Sequence, residues 1–177
     1  FSELSEEDYS PLDVAFSVFD EKSDQLSQEI RLASPKGELG DYVIGVYLLD
    51  QDISTQRRAI TGAMFRPAPN ASVQTPATAG VQSASLFVHG NYYINPRWSL
   101  TGGIRYVHEI KDIDYTSIDS TGSFIDVDHM SSKQTFNEPL PKFGINFQVM
   151  PDVLLYTSVA RGYKSGGWNA DFITTLE

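Results

Sequence analysis

Between Gln82 and Lys111 the sequence alternates with period two, and few folds accommodate an alternation of this length. Ala84, Leu86, Val88, Gly90, Tyr92 and Ile94 are apolar or amphipathic, while most of the residues between them, from Ser83 to Tyr93, are polar. Asn95-Pro96-Arg97 is a tight-turn signal. Beyond it the pattern resumes, with Trp98, Leu100, Gly102, Ile104 and Tyr106 on one face and Ser99, Thr101, Gly103, Arg105, Val107, Glu109 and Lys111 on the other. Period two over such a stretch predicts two antiparallel strands, each with one apolar and one polar face. The first run is longer than the five or six residues usual for a strand in an ordinary domain. It suits a strand tilted across a bilayer, which needs about 9–11 residues. Tyr92, Tyr93 and Trp98 crowd the turn, where an interfacial aromatic girdle belongs.

Composition narrows the alternatives. A formal charge of −10 argues against a nucleic-acid partner, which calls for a basic stripe. Hydrophobic residues make up 41% of the 177, yet no run of about 18 apolar residues occurs, so the pattern offers no membrane helix while leaving a membrane barrel open. The absence of cysteine removes disulfides and thiolate ligands and is compatible with passage through an oxidising periplasm. The chain opens on Phe1 with nothing resembling a signal peptide, and it reads as an excerpt from something longer.

Further strands are expected at Leu26–Ser34, from Asp41 to about Ser54, over Pro139–Val149 and over Val153–Lys164. Within the second of these, Tyr42–Leu49 is apolar on both faces, and the pattern does not decide which face of 41–54 meets lipid. Residues 1–25, 56–80 and 112–138 are expected to be long loops, although Tyr115–Ile118 and Ser123–Val127 are able to extend strands outward. Short turns near 35–40, 95–97 and 150–152 thus alternate with long loops. That layout is the one of an outer-membrane barrel, and soluble β-sandwiches do not usually sort their loops by length in this way.

Three stretches carry a family resemblance. Ser27-Gln-Glu-Ile-Arg-Leu-Ala-Ser-Pro35, followed by Tyr42-Val-Ile-Gly-Val-Tyr47, resembles the mid-barrel of TonB-dependent outer-membrane receptors of the iron-complex type. Trp98 to Tyr106 is similar to the family's strand ending in an aliphatic-Arg-Tyr step. Pro141 to Gly144, Leu155-Tyr156 and Arg161-Gly-Tyr-Lys-Ser-Gly-Gly-Trp-Asn169 resemble its Pro-Lys … Leu-Tyr … Arg-Gly-Phe/Tyr-Lys-Ser-Gly-Gly-Phe-Asn hairpin, with Trp168 where Phe is usual. The resemblance implies an all-β fold: an antiparallel up-and-down transmembrane barrel of 22 strands, of which residues 1–177 supply about six, with the plug domain and the barrel termini absent. It also implies a Gram-negative outer-membrane location, a ferric siderophore or similar small ligand, and energising by the TonB–ExbB–ExbD complex through the absent plug. No cofactor and no catalytic activity are implied.

Candidate sites are few. Arg105 and Glu109 are expected on the lumen face, along with Glu29, Arg31 and Lys111, and a hydrated wall of ion pairs accounts for them as well as ligand contact does. Arg161 and Lys164 lie in a Gly-rich segment that lacks the spacing of a phosphate loop. His129, with Asp126 and Asp128, forms a small cluster in an expected loop, where a solvated loop is the plainer reading. Arg105, Glu109, Arg161, Lys164 and His129 are therefore the ligand-contact candidates; no residues have metal-ligand spacing, and none forms a Ser/His/Asp or paired-carboxylate set. A passive porin-like barrel, an adhesin-like barrel and a soluble β-sandwich binding module are the competing readings.

Overall fold

A computed structural model describes residues 2–8, 11–65, 69–120 and 127–168, and the side chains of all of these except 6–8 and 127–128. Seven strands follow one another: β1 (Ser2–Asp8), β2 (Ala15–Ala33), β3 (Gly40–Thr61), β4 (Ser72–Tyr93), β5 (Trp98–Asp119), β6 (Val127–Met150) and β7 (Val153–Ala160). They form one sheet in sequence order, each strand antiparallel to the next. The three short turns lie where the sequence puts them. At 94–97 the Asn95 side-chain oxygen accepts from the backbone N–H of both Arg97 and Trp98 at 2.9 Å, an Asx turn that explains the asparagine.

The expected long loops are the main correction. The acidic stretch 1–25 contains β1 and the first half of β2, paired from Ser2↔Lys22 to Asp8↔Phe16. Within the loop expected at 56–80, β3 runs on to Thr61 and β4 starts at Ser72, because Gln56↔Pro76 and Arg58↔Gln74 continue the β3–β4 ladder. Within the loop expected at 112–138, β5 runs on to Asp119 and β6 starts at Val127, with Asp112↔Lys133 still paired; Tyr115–Ile118 does extend β5, while residues 123–126 lie outside the described residues. The last strand stops at Ala160, not Lys164, although the Arg161 N–H still donates to the Pro141 carbonyl at 3.0 Å. Alternation of apolar with polar residues is visible only where one face is apolar. Above that band the convex face turns polar and the concave face mixes Val73, Ala77, Ile113 and Tyr115 with polar residues, so the pattern weakens while the backbone ladder goes on.

The register assigns every side chain to a face, since directly opposed residues share one. Leu32, Ile44, Val88, Ile104 and Pro141 form one transverse row, and Ile30, Val46, Leu86, Tyr106 and Pro139 the next. Leu100, Phe143, Ile145 and Phe147 belong to the same face. The open question at 41–54 is thereby answered: Tyr42, Ile44, Val46 and Leu48 share the apolar face, and Val43, Gly45, Tyr47 and Leu49 share the other with Arg105, Glu109, Lys142 and Asn146.

The two faces differ in more than polarity. Leu86, Val88, Ile104, Phe143 and Val159 are all exposed. Among the described residues the buried strand positions, Ser17, Gly45, Val73, Thr75, Ala77, Ser85, Val107, Ile113, Tyr115, Ser117 and Gly144, all belong to the polar face. A flat single sheet exposes both sides alike, so burial confined to one side means that the sheet curls around it. The polar face is the concave one.

The apolar band on the convex face has a definite height. On β6 it runs from Pro139 to Val149, about 34 Å along the strand at about 3.4 Å per residue, or about 26 Å along the normal for a tilt of about 40°. The hydrophobic belt of an outer-membrane barrel is about 25 Å tall. Beyond it the convex side chains turn polar together: Asp20, Lys22 and Asp24 on β2, Asp50 and Asp52 on β3, Asp112 and Asp114 on β5, Lys133 on β6.

Candidate functional site

Three tiers of polar contacts line the concave face. The lowest lies beside the short turns. Asp41 accepts from the Asn91 amide at 2.8 Å and from the Tyr93 hydroxyl. The Asn91 side-chain oxygen Oδ1 accepts from Thr101 at 2.8 Å, and the Asn146 amide donates to Thr101 at 2.9 Å and to Ser99 at 3.2 Å. The chain of bonds crosses β3, β4, β5 and β6 and holds four strand ends in register. Gly40 is part of the same fit: a Cβ there would come within 2.2 Å of the Asn91 carbonyl oxygen.

The middle tier is built around Arg105. Its Nε donates to Ser85 at 3.0 Å. Its guanidinium lies 5.4 Å from the centroid of the Tyr47 ring and 5.9 Å from that of Phe87, both within cation–π range. Phe87 reaches this position because the residue opposite it on β3 is Gly45. A Cβ at Gly45 would fall 2.4 Å from Phe87 Cζ, so the missing side chain is what lets the ring lie across β3 beneath the arginine. An isolated glycine in an otherwise apolar strand marks such a close approach.

The upper tier joins β5, β6 and the segment that follows β7. Glu109 and Lys111 sit 3.7 Å apart with side chains only 13% and 20% exposed. Lys111 Nζ also donates to the Gly166 carbonyl at 3.0 Å. Arg161 pairs with Glu138 at 2.6 Å, and the Tyr163 ring tilts against Phe136 with centroids 6.5 Å apart. Phe136 and Glu138 are concave-face residues of β6, so residues 161–168 leave the sheet and fold back over its concave side. Burial pushes the Tyr163 phenol above its ordinary range, and the Glu109 carboxylate adds to the shift.

The one-sided sheet, the apolar belt and the polar concave wall are the features of a barrel segment, and comparison with known proteins agrees. The family model for the TonB dependent receptor-like β-barrel matches residues 7–175. The chain belongs to that family. Its fold is similar to that of the ferric yersiniabactin uptake receptor FyuA from Yersinia pestis, with a TM-score of 0.72 and 21% identity over 94% of this chain and 25% of that one. It is also similar to the siderophore receptor PiuA from Acinetobacter baumannii, with a TM-score of 0.56 and 19% identity over 82% of this chain and 24% of that one. The chain therefore spans about a quarter of the length of these receptors, and at such identity the likeness is one of fold.

Within a TonB-dependent receptor barrel the concave face is the lumen wall, and the site candidates divide accordingly. Arg105, Glu109 and Arg161 all lie on it, the last two in one cluster with Lys111 and Glu138. Lys164 is exposed on the folded-back segment. His129 is placed differently from expectation. It belongs to β6 and not to a loop, and beside the register shift opposite Tyr115 and Ser117 it faces outward, 3.4 Å from Asp114 on the convex side. Its expected neighbours do not complete a site: Asp126 and the Asp128 side chain lie outside what is described. Sequence reasoning missed Glu138 and Phe136 because they fell in an expected loop. It missed the Tyr47–Phe87–Arg105 arrangement because its residues come from three different strands, with Tyr47 far from Arg105 in the chain; Gly45 was the one signal available.

Proposed function

We propose that this chain is part of the barrel wall of an outer-membrane receptor that takes up a ferric siderophore complex. The observation that carries the reading is the family match over 7–175 on a sheet whose two faces are an apolar belt and a polar concave wall. The convex face meets outer-membrane lipid in a Gram-negative bacterium. Such a wall must pair every backbone group, because an unpaired N–H or C=O in hydrocarbon costs several kcal/mol. Strands outside this chain complete the ring, since the edges of β1 and β7 are open within it. The lumen holds a plug domain, and the TonB–ExbB–ExbD complex drives its rearrangement. The wall itself carries out no catalysis.

Arg105, Glu109, Arg161 and Lys164 are the wall residues offered to a ligand passing from the rim downward. His129 faces outward, and a ligand would meet it only outside the wall. Uptake of a radioactive ferric siderophore by cells whose sole receptor is the complete protein tests the reading. Uptake that requires TonB is expected; uptake that persists without TonB would make the barrel a passive pore.

A further inference from the structure

Above the belt Asp24, Asp50, Asp52, Asp112 and Asp114 face outward. On the lumen side of β5 and β6 and on the folded-back segment stand Arg105, Lys111, Lys142, Arg161 and Lys164, against Glu109, Glu138 and Asp119. Lys111 and Arg161 have carboxylates of the wall within reach. Among the described residues Arg105 has none: its hydrogen bond there goes from Nε to a neutral hydroxyl, and its guanidinium lies over the rings of Tyr47 and Phe87, the second of which is seated by Gly45. Ordering an arginine side chain costs conformational entropy, and here that cost is met before any partner arrives. The two Nη groups remain to form a planar fork suited to a pair of anionic oxygens. Counted from Trp98, Arg105 lies about 18 Å up the wall, in the upper part of a belt about 25 Å tall and below the ion-pair tier.

We propose that Arg105 is a preorganised oxyanion receptor in the lumen, and that the cargo is a negatively charged ferric complex that presents two adjacent anionic oxygens, of carboxylate or catecholate type, to its fork. The proposal rests on the uptake function above and adds the charge class of the substrate. Glu109, four residues above Arg105 and paired with Lys111, does not quench the site.

The test uses the complete receptor, in cells and in detergent micelles, with three probes: iron(III) citrate, a ferric tricatecholate and an uncharged ferric trihydroxamate. At least one anionic complex is expected to be taken up and the uncharged one refused. For the anionic complex that binds, Arg105→Met should weaken affinity about 10- to 100-fold, the loss of one charged hydrogen-bonded contact. Arg105→Lys should recover part of it, keeping the charge without the fork. Gly45→Ala should weaken binding several-fold with every charge in place, because it displaces the Phe87 platform. Melting of the ligand-free variants separates binding from folding. Uptake of the uncharged complex alone, or affinity within about twofold of wild type for Arg105→Met, would overturn the proposal while leaving the uptake function intact. So would a lowered melting temperature for Arg105→Met with unchanged affinity, since the fork's partner would then be a carboxylate of the receptor itself. TonB-dependent uptake of none of the three would count against the uptake function and the proposal together.

Discussion

Ile104→Arg probes the central claim, that one face of this sheet meets lipid. Ile104 is 48% exposed on the convex face, in the row shared with Val88 and Pro141, and no second layer covers it. Its height follows from the register. Six residues from Trp98 amount to about 20 Å along the strand and about 16 Å along the normal, inside a belt about 25 Å tall and a few ångström above its midplane. An arginine on the lipid face at that depth costs about 2–4 kcal/mol, whereas the same change at Val149, in the last convex position before the β6–β7 turn, costs about 0–1 kcal/mol. Equilibrium unfolding of the complete receptor in bilayers by urea gives both numbers, and heat-modifiability on a gel gives the folded fraction directly. Lys142→Ile on the lumen face of β6 is the control and should cost less than Ile104→Arg. Equal penalties at 104 and 149 would refute the depth argument. A larger penalty for Lys142→Ile than for Ile104→Arg would reverse the faces.

Lys111→Met should release the segment after β7, because Lys111 holds the Gly166 carbonyl and is the cation beside the largely buried Glu109; hydrogen exchange over 161–168 should rise with the barrel still folded, and unchanged protection would remove Lys111 from that role. Gly40→Ala should destabilise the complete barrel by about 1–3 kcal/mol, since its Cβ would come 2.2 Å from the Asn91 carbonyl oxygen and the backbone must shift to make room; urea unfolding measures it, and a change below about 0.5 kcal/mol would show that the turn yields freely. Residues 1–177 alone should associate in detergent-free buffer, because Leu86, Val88, Ile104, Phe143 and Val159 lie uncovered and both edge strands are unpaired. A monodisperse monomer by light scattering would contradict that reading.

Much of the fold was legible in the residues. Alternation from Ala84 to Tyr106 gave the β4–β5 hairpin and its faces, Asn95-Pro96-Arg97 gave its turn, and the stretch from Pro139 gave β6 despite two prolines, because its apolar residues stayed two apart. These features were readable because lipid on one side and water on the other impose opposite chemistry on successive residues. β1, the first half of β2 and the outer parts of β3 to β6 were not readable. There the convex face is polar and the concave face mixes polar with buried apolar residues, so side-chain polarity carries little period and backbone pairing with a neighbour defines the strand.

The site was legible in part. The sequence by itself supplied the cast: an arginine on the polar side of β5, a carboxylate four residues on, a Gly-rich segment with two cations, and a glycine interrupting Tyr42–Leu49. Tertiary structure alone decided their relations. It set His129 outward against Asp114, joined Arg161 to Glu138, and laid Phe87 over Gly45 beneath Arg105. The physical reason is that a strand's period settles which side a residue faces, while its cross-strand partner depends on register. A shift of one residue between β3 and β4 would take Phe87 off Gly45, and nothing within either strand's own sequence records that alignment.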